Sequence, residues 1–183
     1  MKNPLFVAVG PMGCSDYLVS ILETQKDIDV NEVDDQGFTP LLAAVMSRSQ
    51  ESIDPLVKYG ANIEFSCQGF TPLMLAAQEG FTEISEALLN AGVNINASTP
   101  DGMSALMLAA RDGHLAIIEL LVSRGVDVYA KTINGSTALK IASQFKKSEV
   151  TALLKKHMQV NDLSPDILSN FIVVNLDDVD DPI

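Results

Sequence analysis

A glycine that recurs at an almost constant interval constrains the fold of this chain more than any other feature. Two such series run through the sequence: Gly37, Gly69, Gly102 and Gly135, and then Gly60, Gly92 and Gly125. Successive members of each series are 32 or 33 residues apart. Internal periods of this length are typical of proteins that stack one small structural unit several times. The period therefore predicts a solenoid in which each unit packs only against its neighbours.

Each glycine of the first series begins a short motif that suits one local structure. The four copies lie in DDQGFTPLLAAV, SCQGFTPLMLAA, TPDGMSALMLAA and TINGSTALKIAS. The glycine provides the positive φ of a tight turn, and the hydroxyl residue two positions later can cap a helix. Pro40 and Pro72 then occupy the first helical position, where the missing N–H costs nothing. A second helix carries paired apolar residues and stops at a glycine of the second series.

These motifs resemble the ankyrin repeat, whose pattern is a turn glycine, T-P-L, an alanine pair, a leucine pair and a closing glycine. The resemblance extends over residues 1–156. It implies an all-α solenoid of about four and a half helix-turn-helix repeats joined by β-hairpin-like loops. The expected units are an N-terminal capping repeat at 1–33, repeats at 34–65, 66–98 and 99–131, a C-terminal repeat at 132–156, and an irregular acidic tail or end cap at 157–183.

Two of the departures from the family pattern concern how the helices form and pack. The family motif T-P-L-H ends in a histidine, whose hydrogen bonds must here be replaced by packing. In this chain that position holds Leu42, Met74, Met107 and Lys140. Asp54 and Pro55 fall inside an expected outer helix. They predict a shortened helix that starts late, with Asp54 as its cap and Pro55 at its first position.

The charge of the chain narrows the classes of partner. It holds 24 acidic and 12 basic side chains, a formal net charge of −12. Nucleic acids and anionic membranes require a surplus of Lys and Arg, so neither is an expected partner. No stretch reaches the roughly 20 apolar residues of a membrane span, and the apolar run Leu5–Val9 is too short for a secretory signal. We expect a cytoplasmic protein, or a periplasmic or secreted one if an upstream signal was removed.

Residues that could carry chemistry are few and far apart. His114 belongs to a Gly-His pair that the family uses structurally, and His157 follows two lysines where a cation suits a helix C-terminus. Cys14 and Cys67 form no CxxC pair and are expected to be free thiols in a reducing compartment. The sequence has no zinc-type spacing and no glycine-rich phosphate loop. It therefore predicts a protein that is not an enzyme and has no cofactor or metal.

Proteins of this family generally bind through the hairpin tips and the exposed face of the inner helices, which implies contact residues by position. Phe38, Phe70 and Met103 follow turn glycines and are expected to form an apolar ridge across consecutive repeats. The alternative is that each of these side chains lies across its own hairpin. The remaining candidates are Met46, Gln78, Glu79, Asp101, Arg111, Asp112, Ile133 and Phe145. For the acidic members of this set, the alternative role is solubility alone.

The resemblance implies a protein–protein interaction module that binds a specific partner through this face. The alternative is a stoichiometric inhibitor, or a self-protection protein, that binds and blocks an enzyme. The acidic balance favours a partner with a basic surface or cleft. We expect the free chain to be a monomer.

The acidic tail differs sharply in charge from the repeat before it. Residues 157–183 contain six Asp and no Lys or Arg, whereas residues 131–156 hold six Lys and a single acidic residue. The tail either covers the apolar end of the solenoid, which we favour, or engages the partner.

Overall fold

The structure is a computed structural model that describes residues 3–10 and 15–158. In that part of the chain it contains ten α-helices, one 3₁₀ helix and no β-strand. The α-helices are α1 (Pro4–Ala8), α2 (Ser15–Thr24), α3 (Pro40–Met46), α4 (Ile53–Lys58), α5 (Pro72–Glu79), α6 (Thr82–Asn90), α7 (Ala105–Asp112), α8 (Leu115–Ser123), α9 (Ala138–Gln144) and α10 (Ser148–His157). The 3₁₀ helix, Gln50–Ser52, precedes α4. Nearly all of the predicted tail lies outside the described residues.

The helices form two stacked layers. The odd-numbered helices lie side by side in an inner layer and the even-numbered helices in an outer layer, and each odd helix packs against the even helix that follows it. One core runs through the stack, and its repeating members are Leu41, Leu73, Leu106 and Leu139 from the inner layer and Leu56, Leu88, Leu121 and Leu154 from the outer layer. This arrangement confirms the predicted all-α solenoid of helix-turn-helix repeats.

All five inner helices of the described chain begin at a side-chain cap: Asn3 caps α1, and the other four have the hydroxyl caps that the sequence predicts. In α3, α5, α7 and α9 the capping hydroxyl accepts from the backbone N–H three residues later, at 3.3–3.4 Å. The capping residues are Thr39, Thr71, Ser104 and Thr137. The outer helices α4, α6, α8 and α10 have no side-chain cap hydrogen bond. Their stability therefore depends on packing against the inner layer.

The loops between repeats are hairpins of two lengths. Three of them have a three-residue turn closed by a backbone hydrogen bond: Asp34 to Phe38, Thr99 to Met103 and Thr132 to Ser136. The hairpin Cys67–Phe70 has a two-residue turn. The reason is that the segment from Gly60 to Gly69 is one residue shorter than the equivalent segments of the next two repeats. Gln68 and Gly69 both have positive φ, 52° and 85°, as a type I′ turn requires.

Helix α4 is shorter than its equivalents, as predicted, but it begins differently. It spans 6 residues, against 9 in both α6 and α8. The prediction that Asp54 caps this helix is wrong, because Ser52 is the N-cap residue and Ile53 the first helical residue. The 3₁₀ helix carries the chain into α4 ahead of Asp54. Pro55 is tolerated because the N–H groups of a first helical turn have no intrahelical acceptor.

Side chains from each repeat pack on the inner-helix end of the preceding repeat. Helix α5 ends at Gly80 in the left-handed conformation, and Arg48 adopts the same conformation after α3, with φ 56°. The His114 ring lies against Gly80, and its Nε2 donates to the Gln78 carbonyl at 2.8 Å. The Arg48 guanidinium lies 4.9 Å from the centre of the Phe81 ring. His114 therefore has the structural role that its sequence context predicts.

A second set of contacts between repeats runs along the loops that follow the outer helices. In each contact a side-chain oxygen accepts from a backbone N–H of the next repeat. The acceptors are Asn31, Glu64 and Asn96, and the donors are Asn62, Asn94 and Asp127. Tyr129 stands at the next position of this series, and its hydroxyl donates to the Met158 carbonyl at 2.9 Å. The series thus extends to the C-terminal end of α10.

Candidate partner-binding face

The hairpins and the C-terminal ends of the inner helices carry all the predicted contact residues, and we call this surface the binding face. Neighbouring hairpins contact each other directly. The Ile133 N–H donates to the Asp101 carbonyl at 3.0 Å, and the Cys67 thiol lies 3.8 Å from the Gln36 carbonyl oxygen. The inner helices stack in the same order as the hairpins. The predicted residues therefore form a row that crosses successive repeats.

The predicted apolar ridge is only partly exposed. Phe38, Phe70 and Met103 are all half-buried, and Phe70 and Met103 pack against the core. The N–H groups of Phe38 and Met103 donate to the side chains of Asp34 and Thr99, which stabilises the backbone of these two hairpins. Phe70 and Met103 therefore use part of their surface to anchor their hairpins, and all three side chains leave the rest exposed to solvent.

The strongly exposed apolar side chains of this face lie near the two ends of the solenoid. Met46 is 48% exposed at the end of α3, whereas Ile133 is 71% exposed at the last hairpin and Phe145 54% exposed after α9. All three were predicted from position. Val33, just before the first hairpin, is 48% exposed and was missed. The sequence does contain a signal, because Val33 is an apolar residue with acidic neighbours. It lies outside the positions at which the repeat pattern places contact residues.

The middle of the binding face is polar and charged. Glu79 and Asp101 are exposed, and Gln78 is half-buried beside Glu79. Arg111 and Asp112 form an ion pair, with Nη2 and Oδ2 2.8 Å apart and a second contact from Nε at 3.2 Å. The hydrogen bond to Asp112 raises the pKa of Arg111 above its ordinary value. These two charges therefore offset each other, and the net charge of this middle region comes from Glu79 and Asp101.

Metal-binding clusters and membrane-spanning helices are both absent from residues 3–10 and 15–158. That part of the chain contains no group of three His, Cys, Asp or Glu side chains able to hold a metal ion. None of its helices is long and apolar enough to cross a membrane. His114 is engaged with the Gln78 carbonyl. The binding face is therefore our candidate functional site in the described part of the molecule.

Stacked helix pairs that present a row of hairpins define a helical-repeat scaffold of the kind that binds other proteins. The family model described as ankyrin repeats (3 copies) matches residues 5–99, 66–132 and 91–164. The chain belongs to the ankyrin-repeat family, whose members are generally interaction modules and typically not enzymes. A search among curated proteins found no match to the chain.

Proposed function

We propose that this protein binds one specific partner protein through the binding face, with apolar contacts at both ends and an acidic contact between them. The proposal rests mainly on three exposed apolar side chains. Met46 follows the first hairpin, whereas Ile133 and Phe145 both belong to the last repeat, so the two apolar regions lie on repeats that are not adjacent. Full burial of a wholly exposed side chain of this kind stabilises by about 1.5–3 kcal/mol. These three are 48–71% exposed, so a partner gains roughly half to two-thirds of that figure from each one that it covers. A partner that covers one end only would gain less.

The charge of the face supports a basic partner. Glu79 and Asp101 are exposed, and no ion pair among the described residues includes either of them. Complementary charge of this kind accelerates association and is screened by salt over roughly 10 Å at 0.1 M. The association rate should therefore fall as salt rises, while the dissociation rate should depend mainly on the apolar ends.

The experiment compares three columns that carry the purified chain. One has the native protein, the second the Ile133→Ala/Phe145→Ala variant, and the third a Tyr17→Ala/Tyr59→Ala control that removes exposed aromatic rings from the outer layer. Native lysate is passed over each, and retained proteins are quantified by mass spectrometry. We expect a partner that the native and control columns retain and the Ile133/Phe145 variant loses. Equal retention on all three columns would show that the partner binds elsewhere.

Inhibition and tethering become distinguishable once the partner is known. If the partner is an enzyme, titration with this protein should abolish its activity at one equivalent when the chain is an inhibitor. If the partner's activity is unchanged when it is saturated with this protein, the protein tethers its partner rather than inhibiting it. We also propose that the chain acts as a monomer in the cytoplasm, and its free thiol at Cys67 supports a reducing compartment. Sedimentation and cell fractionation test these two points.

A further inference from the structure

The residue before the turn glycine differs from one hairpin to the next. It is glutamine in the first two hairpins, at Gln36 and Gln68, aspartate in the third, at Asp101, and asparagine in the last, at Asn134. Asn134 and Gly135 form the only Asn-Gly pair of the chain. Asparagine is a chemically labile residue, and a following glycine leaves its side chain open to attack because glycine has no Cβ. The last hairpin therefore holds a reactive pair that the other three lack.

The reaction of an Asn-Gly pair needs no reagent other than water. The Gly135 backbone nitrogen loses its proton to a base and attacks Cγ of Asn134. The bond from Cγ to Nδ2 then breaks, the amide group takes up a proton and leaves as ammonia, and a five-membered succinimide ring remains. Water adds to one of the two ring carbonyl groups and opens the ring. Addition at Cγ gives aspartate, whereas addition at the main-chain carbonyl carbon gives isoaspartate.

The fold leaves Gly135 more open than the other three turn glycines. Asn134 and Gly135 are both exposed, whereas Gly37, Gly69 and Gly102 are half-buried. A Cβ built at Gly102 would lie 2.9 Å from Cα of Thr132 in the next hairpin, and one built at Gly135 would meet nothing within 4 Å. The cause is position, because each earlier hairpin is covered by the one that follows it. No hairpin follows the last one within the described part of the chain.

The peptide group that must react is also held by fewer bonds than its equivalent in the third hairpin. The Gly135 N–H donates to the Thr132 carbonyl at 2.8 Å, and the third hairpin has the equivalent bond at the same distance. In the third hairpin the carbonyl of that peptide group, on Asp101, also accepts from the Ile133 N–H at 3.0 Å. The Asn134 carbonyl accepts no hydrogen bond from any described residue. Local opening at the last hairpin therefore breaks one bond fewer.

We propose that Asn134 is a modification site, at which the amide is slowly converted to aspartate or isoaspartate in the folded protein. The change adds one negative charge to the formal net charge of −12. That charge appears on the binding face, beside the strongly exposed Ile133. Isoaspartate also adds a methylene group to the main chain, which alters the turn itself. The binding face therefore changes with the age of the molecule. This inference goes beyond the proposed partner binding, because the reaction requires no partner.

The test follows the native protein through a long incubation at neutral pH in water enriched in heavy oxygen. Ring opening takes one oxygen atom from water, so the isotope distinguishes conversion during the incubation from conversion during the later digestion. Peptide mapping by mass spectrometry then measures the converted fraction at each asparagine. We expect loss of the amide at Asn134 and none at Asn62 or Asn94, because a β-branched isoleucine follows both of these exposed residues. An amide that stays intact at Asn134 in the folded protein, but is lost in urea, would overturn the inference.

The Asp101→Asn variant supplies a matched control, because it places the same pair in a hairpin of equal length whose glycine is covered. In urea, positions 101 and 134 should react at closely similar rates. In the folded variant, Asn134 should react roughly two- to tenfold faster, the factor expected when one hydrogen bond fewer has to break. An unchanged circular dichroism spectrum shows that the variant is folded. Equal rates at the two positions in the folded variant would refute the packing and bonding differences on which the site rests.

Discussion

Replacing Gly80 by alanine should destabilise the protein in two separable ways. Gly80 has a φ of +80°, and a left-handed conformation costs an L-residue roughly 1–2 kcal/mol. A Cβ at this position would also lie 2.8 Å from the His114 ring. The ring can retreat only by losing its 2.8 Å bond to the Gln78 carbonyl, at a further 0.5–1.5 kcal/mol or so. We expect a total loss of about 2–3 kcal/mol, or about 5–10 °C in Tm.

The chain contains a matched control for this prediction. Gly125 has the same φ of +80°, and a Cβ there would meet nothing within 4 Å. Gly125→Ala should therefore show only the backbone cost of about 1–2 kcal/mol. Urea unfolding followed by circular dichroism measures both variants, with unchanged slopes showing that the folded state is comparable. Equal losses at Gly80 and Gly125 would refute the role of the His114 contact. A double variant with His114→Ala should be less destabilised than the sum of its single changes.

Three smaller changes test other contacts. Thr71→Ala removes the cap of α5 and should cost about 1 kcal/mol in urea unfolding, against no change for an exposed control threonine. Tyr129→Phe removes the bond to Met158 and should speed amide exchange in α10 severalfold while exchange in α5 is unchanged. Arg48→Gly removes the energetic cost of a left-handed conformation in a non-glycine residue, but it also removes the contact with the Phe81 ring. Because these two effects oppose each other, the Tm should change by less than about 4 °C.

The sequence predicts the fold well because the repeat signals are local. Thr39 and Thr71 cap helices through bonds that span three residues, and the glycine period fixes the order of the elements. The start of α4 was harder to predict. Asp54-Pro55 suits a helix start by itself, but the preceding 3₁₀ helix had already begun the outer element. The helix therefore starts before the residues that favour a start, because the preceding residues, which have no strong preference of their own, already form a 3₁₀ turn.

The binding face was predictable in position but not in exposure. Ile133 and Phe145 were named from their place in the repeat and are strongly exposed. Phe70 was predicted from its place after a turn glycine, yet it packs against the core. The Arg111–Asp112 ion pair could not be foreseen, because adjacent helical residues do not usually face each other. Which part of a side chain reaches solvent depends on contacts between repeats, and a repeat pattern does not record those contacts.

The shorter hairpin at Cys67–Phe70 has a consequence for recognition. A surface built from equivalent repeats offers a partner several nearly identical registers, each displaced by one repeat along the stack. One hairpin that is a residue shorter than its neighbours breaks that translational symmetry at a single place. A partner loop that fits the gap between two longer hairpins would not fit the gap beside the shorter hairpin, so it could not shift along the stack by one repeat. A difference of one residue in loop length can thus define the alignment of two proteins along an otherwise periodic surface.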